Sequence, residues 1–323
     1  MVRPSILVTH RLPRAVERKL AANYEVEVNR ADRPLSPAEF RAAIQKYDAV
    51  LPTDADRISA EALDVPRAQT RILANYGNVL DHIDLACAKT HGMAVTNTPD
   101  VLSECTADLA MTLLLTAARR TSEGERELRA GLWDGWKPTH LVGTKVSGKT
   151  LGIVGFGRVG QEMAQRAHFG FGMDAVVFDP APVADATLAR FNARRAASLN
   201  ELLPLCDFVS LHCAGGAETV RMFSGPQFDM MKPEAFLINT SSGAVIDEAA
   251  LAQALMFDVI GGAALDVFAR EPRIDPMLTQ CDNLVMLPHM GSATEEARQA
   301  MGFRVIDNLK DFFDGKAPRD RVA

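Results

Sequence analysis

Through the first hundred residues, short apolar runs alternate with stretches of helical period. The runs at 5–9, 24–28, 49–51, 72–75 and 94–96 read as strands. Helical patterns at 13–22, from Ser36, and near Ser59 and Asp84 separate them. The helix from Ser36 opens with a capping box, in which Ser36 is the N-cap, Pro37 takes the first position and Glu39 reaches back. This is a small α/β unit in its own right. A long helical pattern then covers 102–130, with apolar residues crowded into its first half, and Trp133, Trp136 and Pro138 follow it. Strand patterns recur at 208–211, 235–239, 260–266 and 284–287, with helical patterns between, and a last helix covers 294–313. That helix is expected to cross back onto the N-terminal unit. No internal repeat, low-complexity tract or flexible linker interrupts the pattern.

Between these halves lies Lys149-Thr150-Leu151-Gly152-Ile153-Val154-Gly155-Phe156-Gly157-Arg158-Val159-Gly160. An apolar run ends in Gly-x-Gly-x-x-Gly, a helical pattern follows over 161–169, and a second apolar run, 175–178, is closed by Asp179. In a dinucleotide site the first glycine permits the tight turn, the second lets the backbone approach a pyrophosphate, and the third allows close helix–strand packing. The helix N-terminus turns its N–H groups toward the same anion. An acid about twenty residues past the turn bonds the ribose hydroxyls. Its charge repels a 2′-phosphate, so NAD is expected over NADP.

Composition adds mainly exclusions. The chain has 323 residues, enough for two domains, with 47% hydrophobic and 24% charged residues. A net charge of −6 gives no reason to expect nucleic acid or an anionic membrane as partner. The most apolar helical run, 109–118, is too short to span a bilayer. Met1-Val2-Arg3-Pro4 leads directly into a strand pattern, without a signal-peptide core and cleavage site. The five cysteines form no C-x-x-C pair and read as free thiols in a reducing cytoplasm. No metal site is expected.

Two late segments carry candidate chemistry: Leu265-Asp266-Val267-Phe268-Ala269-Arg270-Glu271-Pro272 and Leu287-Pro288-His289-Met290-Gly291-Ser292. Both follow strand patterns, and ligands of open α/β sheets bind outside the carboxyl ends of strands. A dehydrogenase must move a proton in step with a hydride, and histidine titrates near neutrality. A carboxylate bonded to the ring fixes its tautomer and favours the imidazolium. From spacing alone, a catalytic pair and a structural histidine beside a surface glutamate both remain open.

The chain resembles the D-isomer-specific 2-hydroxyacid dehydrogenase family over nearly its whole length. The resemblance rests on Thr98-Pro99-Asp100-Val101, Gly148-Lys149-Thr150, the glycine turn, Met231-Lys232-Pro233, Ile238-Asn239-Thr240, Leu265-Asp266-Val267-Phe268, Glu271-Pro272 and Pro288-His289-x-Gly291-Ser292. The segment Trp133-x-x-Trp136-x-Pro138 is most similar to the glyoxylate/hydroxypyruvate reductase branch. The resemblance implies a Rossmann-type dinucleotide-binding domain, residues 99–291, inserted in a smaller flavodoxin-like α/β substrate domain, residues 1–98 plus 292–323, with a cleft between. It implies His289 as proton donor and acceptor, oriented by Glu271. NAD would be held by Gly155, Phe156, Gly157, Arg158, Val159, Gly160, Asp179, Pro180, His212, Cys213, Thr240, Ser241, Asp266 and Gly291. Asn78, Val79 and Trp136 would line the substrate side. A homodimer joined through 102–130 and the nucleotide domain is also implied.

Three positions depart from the family pattern. The family's Asn-x-x-Arg-Gly is here Asn239-Thr240-Ser241-Ser242-Gly243, so Ser242 stands where an arginine forks onto the substrate carboxylate and keto oxygen. The family's substrate loop, Gly-Val-Gly-Tyr-Asp, is Gly77-Asn78-Val79-Leu80-Asp81, with Val79 at the second glycine. Ala214-Gly215-Gly216 replaces the usual Pro-Leu-Thr near the cofactor. The first two converge on one substrate group. The expectation is therefore an NAD-dependent oxidoreductase acting on a small 2-hydroxyacid-like substrate with altered recognition. The alternative is a catalytically weak or inactive NAD(H)-binding regulatory protein. Between them stands an ordinary glyoxylate or hydroxypyruvate reductase in which Lys137 or Arg270 replaces the arginine.

Overall fold

A computed structural model describes residues 3–323; of the N-terminal segment read above, Met1 and Val2 lie outside the described residues. The chain forms two compact units, residues 1–102 with 293–323, and residues 103–292.

The first unit is built on a parallel sheet of five strands: β1 (Ser5–Val8), β2 (Glu25–Val28), β3 (Ala49–Leu51), β4 (Ile72–Ala74) and β5 (Ala94–Thr96), in the order β2-β1-β3-β4-β5. This is the flavodoxin-like order. Parallel strands joined by helical crossovers must bury both faces, which is why the runs are apolar at consecutive positions. Ile6, Val8, Leu51, Ile72 and Ala74 enter one core with Val16 and Leu20 of the helix Arg14–Asn23 and Met301, Val305 and Leu309 of the C-terminal helix Glu295–Phe313. Leu7, Val50, Leu73 and Val95 enter the opposite core, under Phe40 and Ile44 of the helix Pro37–Lys46. That helix has the capping box read from the sequence, including the Glu39 carboxylate accepting from the Ser36 N–H at 2.8 Å.

The second unit has seven parallel strands: β6 (Thr150–Val154), β7 (Asp174–Phe178), β8 (Ala193–Arg195), β9 (Phe208–Leu211), β10 (Phe236–Asn239), β11 (Gly262–Leu265) and β12 (Leu284–Met286). Their order, β12-β11-β10-β9-β6-β7-β8, is the doubly wound Rossmann arrangement, with its switch point between β6 and β9. Leu151, Ile153, Val177 and Ile238 face one core, while Val209, Leu211, Leu237 and Leu265 face the other.

One expected element is corrected. The helix expected over 102–130 is two helices, Ser103–Arg119 and Thr121–Arg129, because Arg120 between them is left-handed at φ 53°. Only the first of the two buries an apolar face. Among the described residues, no helix is long and apolar enough to cross a membrane.

Candidate active site

The glycine turn shows why each glycine is needed. Gly155 follows β6 at φ +90°, and a Cβ there would fall 2.5 Å from the Cys213 nitrogen. A Cβ on Gly160 would fall 2.2 Å from the Gly155 oxygen, so the helix Arg158–Gln165 can lie against the turn only with hydrogen in that place. Gly157, the N-cap of that helix, has nothing within 4 Å of its would-be Cβ, which leaves open space over the helix N-terminus. The carboxylate of Asp179, just past β7, accepts the Phe156 N–H at 2.7 Å and the Ala181 N–H at 2.8 Å, which fixes an anion beside the turn. Phe156 itself turns its ring into the core, edge-on to Phe191, so only its backbone faces the turn. Val159 is partly buried against the same core, while Arg158 and Pro180 are exposed.

Four more of the expected residues follow the neighbouring strands. His212 and Cys213 come directly after β9, with His212 Nε2 2.8 Å from Ser210 Oγ. Burial pushes the His212 imidazole down to about 3, and its Nδ1 is buried without a partner. Thr240 and Ser241 come directly after β10. Ser241 bonds the Asn239 side chain, and the Thr240 hydroxyl is buried and unpartnered. A buried, unsatisfied hydroxyl at the carboxyl edge of the sheet is a group awaiting a ligand. With the open helix N-terminus and the fixed Asp179 carboxylate, this donor set fits a dinucleotide.

The last two strands carry the candidate chemistry. Asp266, after β11, is buried and takes the Met290 and Gly291 N–H groups at 2.7 Å each. Burial pushes its carboxyl above the ordinary range, against the pull of those two donors and of His289. This clamp sets the turn after β12, where His289 takes the left-handed φ of 53°. Non-glycine residues in that region concentrate at functional sites. His289 Nδ1 lies 2.8 Å from Glu271 Oε2, and Glu271 Oε1 accepts the Phe268 N–H at 2.9 Å. The glutamate is thus held at both oxygens, and the ring, 44% exposed, can present Nε2 to a substrate. Ser242 joins the same neighbourhood: a Cβ on Gly243 would fall 2.0 Å from the Phe268 carbonyl carbon, so the Ser242–Gly243 turn is seated on the chain leading to Glu271.

Other expected residues stand apart. Trp136 is 83% exposed on the loop after the Thr121–Arg129 helix. Lys137 is engaged by Asp134 at 2.6 Å, and Arg270 lies 4.0 Å from Asp275 and is largely exposed. Ala214, Gly215 and Gly216 lie in an exposed loop. In the first unit, Asn78 and Val79 are exposed, on a loop fixed by residues that the sequence did not single out. The buried Asn75 Nδ2 donates to the Gly77 and Val79 carbonyls at 3.2 and 3.0 Å, and Asn75 Oδ1 lies 3.1 Å from His82 Nε2. Among the described residues, no group of three or more His, Cys, Asp or Glu could hold a metal ion.

A doubly wound sheet with this glycine turn, and a histidine bonded to a carboxylate at its carboxyl edge, defines a dinucleotide-dependent oxidoreductase. Residues 111–291 match the family model described as "D-isomer specific 2-hydroxyacid dehydrogenase, NAD binding domain". The chain is 38% identical to a glyoxylate reductase of Thermococcus litoralis, covering 99% of this chain and 97% of that one. It is 34% identical to a glycerate dehydrogenase of Hyphomicrobium methylovorum, covering 98% of each. A crystal structure of a putative D-isomer-specific 2-hydroxyacid dehydrogenase from Polaromonas sp. superposes with a TM-score of 0.93 at 33% identity, over 100% of both chains. The chain belongs to the D-isomer-specific 2-hydroxyacid dehydrogenase family. It is an NAD-dependent oxidoreductase acting on CH–OH groups.

Proposed function

We propose that this enzyme interconverts the hydroxyl and carbonyl forms of a small 2-hydroxyacid-like substrate whose group next to the reacting carbon is not held by an arginine. The observation that carries this reading is the 2.8 Å Glu271–His289 bond at the carboxyl edge of the second unit. Bound NADH supplies the hydride that the carbonyl carbon takes up. In that direction His289 Nε2 delivers a proton to the carbonyl oxygen, and in oxidation it takes the proton back. Glu271 keeps Nδ1–H in place, so that Nε2 is the atom that exchanges the proton, and it stabilises the ring when charged. Asp266 acts through the backbone, holding the turn that aims His289.

Residues 99–291 serve as the nucleotide domain, and residues 1–98 with 292–323 as the substrate domain. Gly155, Gly157, Arg158, Gly160, Thr240, Ser241 and Gly291 contact the cofactor, with the backbone of Phe156 and Val159, and with Pro180, His212 and Cys213 beside them. Asp179 takes the ribose hydroxyls and favours NAD over NADP. Asn78, Val79, Trp136 and Ser242 line the substrate side. The enzyme works in the cytoplasm as a homodimer.

Replacing His289 tests the reading directly. His289→Ala is expected to lower kcat about 10²- to 10⁴-fold while NADH still binds. Unchanged turnover in that variant rejects the assignment.

A further inference from the structure

The loop that the proposed function places at the substrate, Gly77–Val79, is backed by a second segment of the same unit. That segment, residues 52–58, follows β3 and is stitched to both flanks of the loop. The Tyr76 N–H donates to the Pro52 carbonyl, the Ile58 N–H to the His82 carbonyl and the Asp84 N–H to the Ile58 carbonyl, each at 2.8 Å. Between these ties Asp54 lies against Gly77, where a Cβ would fall 2.1 Å from Asp54 Oδ1. The position of the loop therefore depends on what holds 52–58.

What holds that segment is Asp56. Its side chain is 1% exposed, and its carboxylate takes the Thr9 hydroxyl at 2.6 Å and the Thr53 N–H at 2.9 Å. Thr9 directly follows β1, so this acid pins the segment after β3 to the end of the neighbouring strand, at the switch point of the first sheet. A buried carboxylate needs a counter-charge. Among the described residues, the cation within 4 Å of it is His10, whose Nδ1 lies 3.7 Å from Asp56 Oδ2. The same nitrogen lies 3.2 Å from the Thr53 hydroxyl and 3.3 Å from the Thr9 hydroxyl. Thr9 has one hydroxyl hydrogen, and the carboxylate is a nearer acceptor for it than the Leu51 carbonyl at 3.1 Å. Its oxygen then accepts from His10, which puts a hydrogen on Nδ1 and leaves Nε2 as the atom that gains and loses the proton.

The carboxylate raises the His10 imidazole above its ordinary 6.5 against the pull of burial, and Asp32, in the loop after β2, adds to the rise. Burial pushes the Asp56 carboxyl up, but His10, Thr9 and Thr53 outweigh it and hold the group below its ordinary range. His82 also feels the Asp56 charge, with those of Arg57 and Asp81, yet burial pushes it down to about 4 and keeps it neutral. Its ring lies 3.1 Å from Asn75 Oδ1, and Asn75 Nδ2 holds the Gly77 and Val79 carbonyls at 3.2 and 3.0 Å. One buried acid thus meets two histidines in opposite states. Near neutral pH only His10 of the two changes charge.

We propose that His10 and Asp56 are positioning residues for the substrate loop: with its proton, His10 completes the Asp56 anchor and holds 52–58, and through it Gly77–Val79, in place. The proposed function, on which this inference rests, puts that loop at the substrate. The anchor is whole below pH 6.5 and slackens as pH rises through the raised His10 value. Substrate grip is what changes, so the effect falls on KM, while kcat follows His289.

The test uses the full-length enzyme between pH 6 and 9. Amide hydrogen exchange over 52–58 and 76–80, corrected for the intrinsic rate, is measured beside KM for glyoxylate and calorimetric NADH binding. Exchange needs no substrate, so it reads the anchor whatever compound is reduced. In the parent, protection of both segments is expected to fall about tenfold across the range and KM to rise by about the same factor, with NADH binding unchanged. His10→Gln, which cannot be charged, is expected to show the alkaline protection and KM already at pH 6. His10→Arg, charged throughout, is expected to keep the acid-side values at every pH. The His10 ring, followed by NMR, is expected to titrate above 6.5 in the parent and lower in Asp56→Asn. The inference is overturned if His10→Gln exchanges like the parent at every pH, or if His10→Arg keeps the parent's pH dependence. It is equally overturned if His10→Gln shifts kcat, KM and NADH binding alike, as a general loss of folding would. Failure of the underlying reading looks different: exchange behaves as expected while KM stays flat, which leaves an anchor without a role at the substrate.

Discussion

Asp179 shows how much one side chain can decide. Its carboxylate is pinned by the Phe156 and Ala181 N–H groups, while Arg195 Nη2 reaches the Asp179 and Ala181 carbonyls at 3.2 and 3.4 Å. A cation therefore stands close to the carboxylate that the proposed function places at the ribose. Asp179→Ser is expected to raise the NADPH-to-NADH ratio of kcat/KM about tenfold or more, by removing the like charge and leaving Arg195. An unchanged ratio would show that Asp179 does not discriminate. At this scale the sequence was informative where roles follow from order along the chain. The glycine turn and Asp179 could be picked out by their spacing and by what precedes them, whereas for Glu271 and His289 spacing left a catalytic pair and a structural histidine both open, and only the family resemblance singled out the pair. Asn75 and His82 could not, because their significance is a set of contacts with a loop that gives no local sign of needing them.

At the scale of elements, apolar runs located eleven of the twelve strands among the described residues. They missed β8, whose Ala193-Arg194-Arg195 lies at the sheet edge and has no apolar run to announce it. The division of the 102–130 helix was illegible for a different reason. Helical period continues on both sides of Arg120, and arginine is not a residue whose presence signals a left-handed turn. A similar conformation recurs after the helix Glu248–Met256, where Asp258 is exposed at φ 52°. Glycine takes that position at little steric cost, so Asp258→Gly is expected to stabilise the second unit by about 1 kcal/mol, read as a higher denaturation midpoint. A lower midpoint would mean that the Asp258 side chain contributes more than its backbone costs.

Across the whole molecule, buried neutral imidazoles tie stability to pH. His82 is held near 4 in the folded chain, against an ordinary 6.5. Between those values the unfolded chain binds a proton that the folded chain refuses, so stability falls as pH drops from 6.5 toward 4. The full shift corresponds to about 3 kcal/mol. His82→Gln keeps a donor for Asn75 Oδ1 and removes the titration. Denaturant midpoints from pH 7 to 4.5 should then fall less steeply than in the parent, and an identical slope would exclude His82 as a source of the acid sensitivity.

The return of the last helix to the first unit has a temporal consequence. A ribosome delivers β1 to β5 first and the helix Glu295–Phe313 nearly last, with the whole second unit made in between. The second unit is one uninterrupted stretch and can close as soon as it emerges. The first must wait, with the sheet face that receives Met301, Val305 and Leu309 still uncovered. The older half of the nascent chain is thus the later to mature, and its bare face is the surface that a chaperone would meet during synthesis.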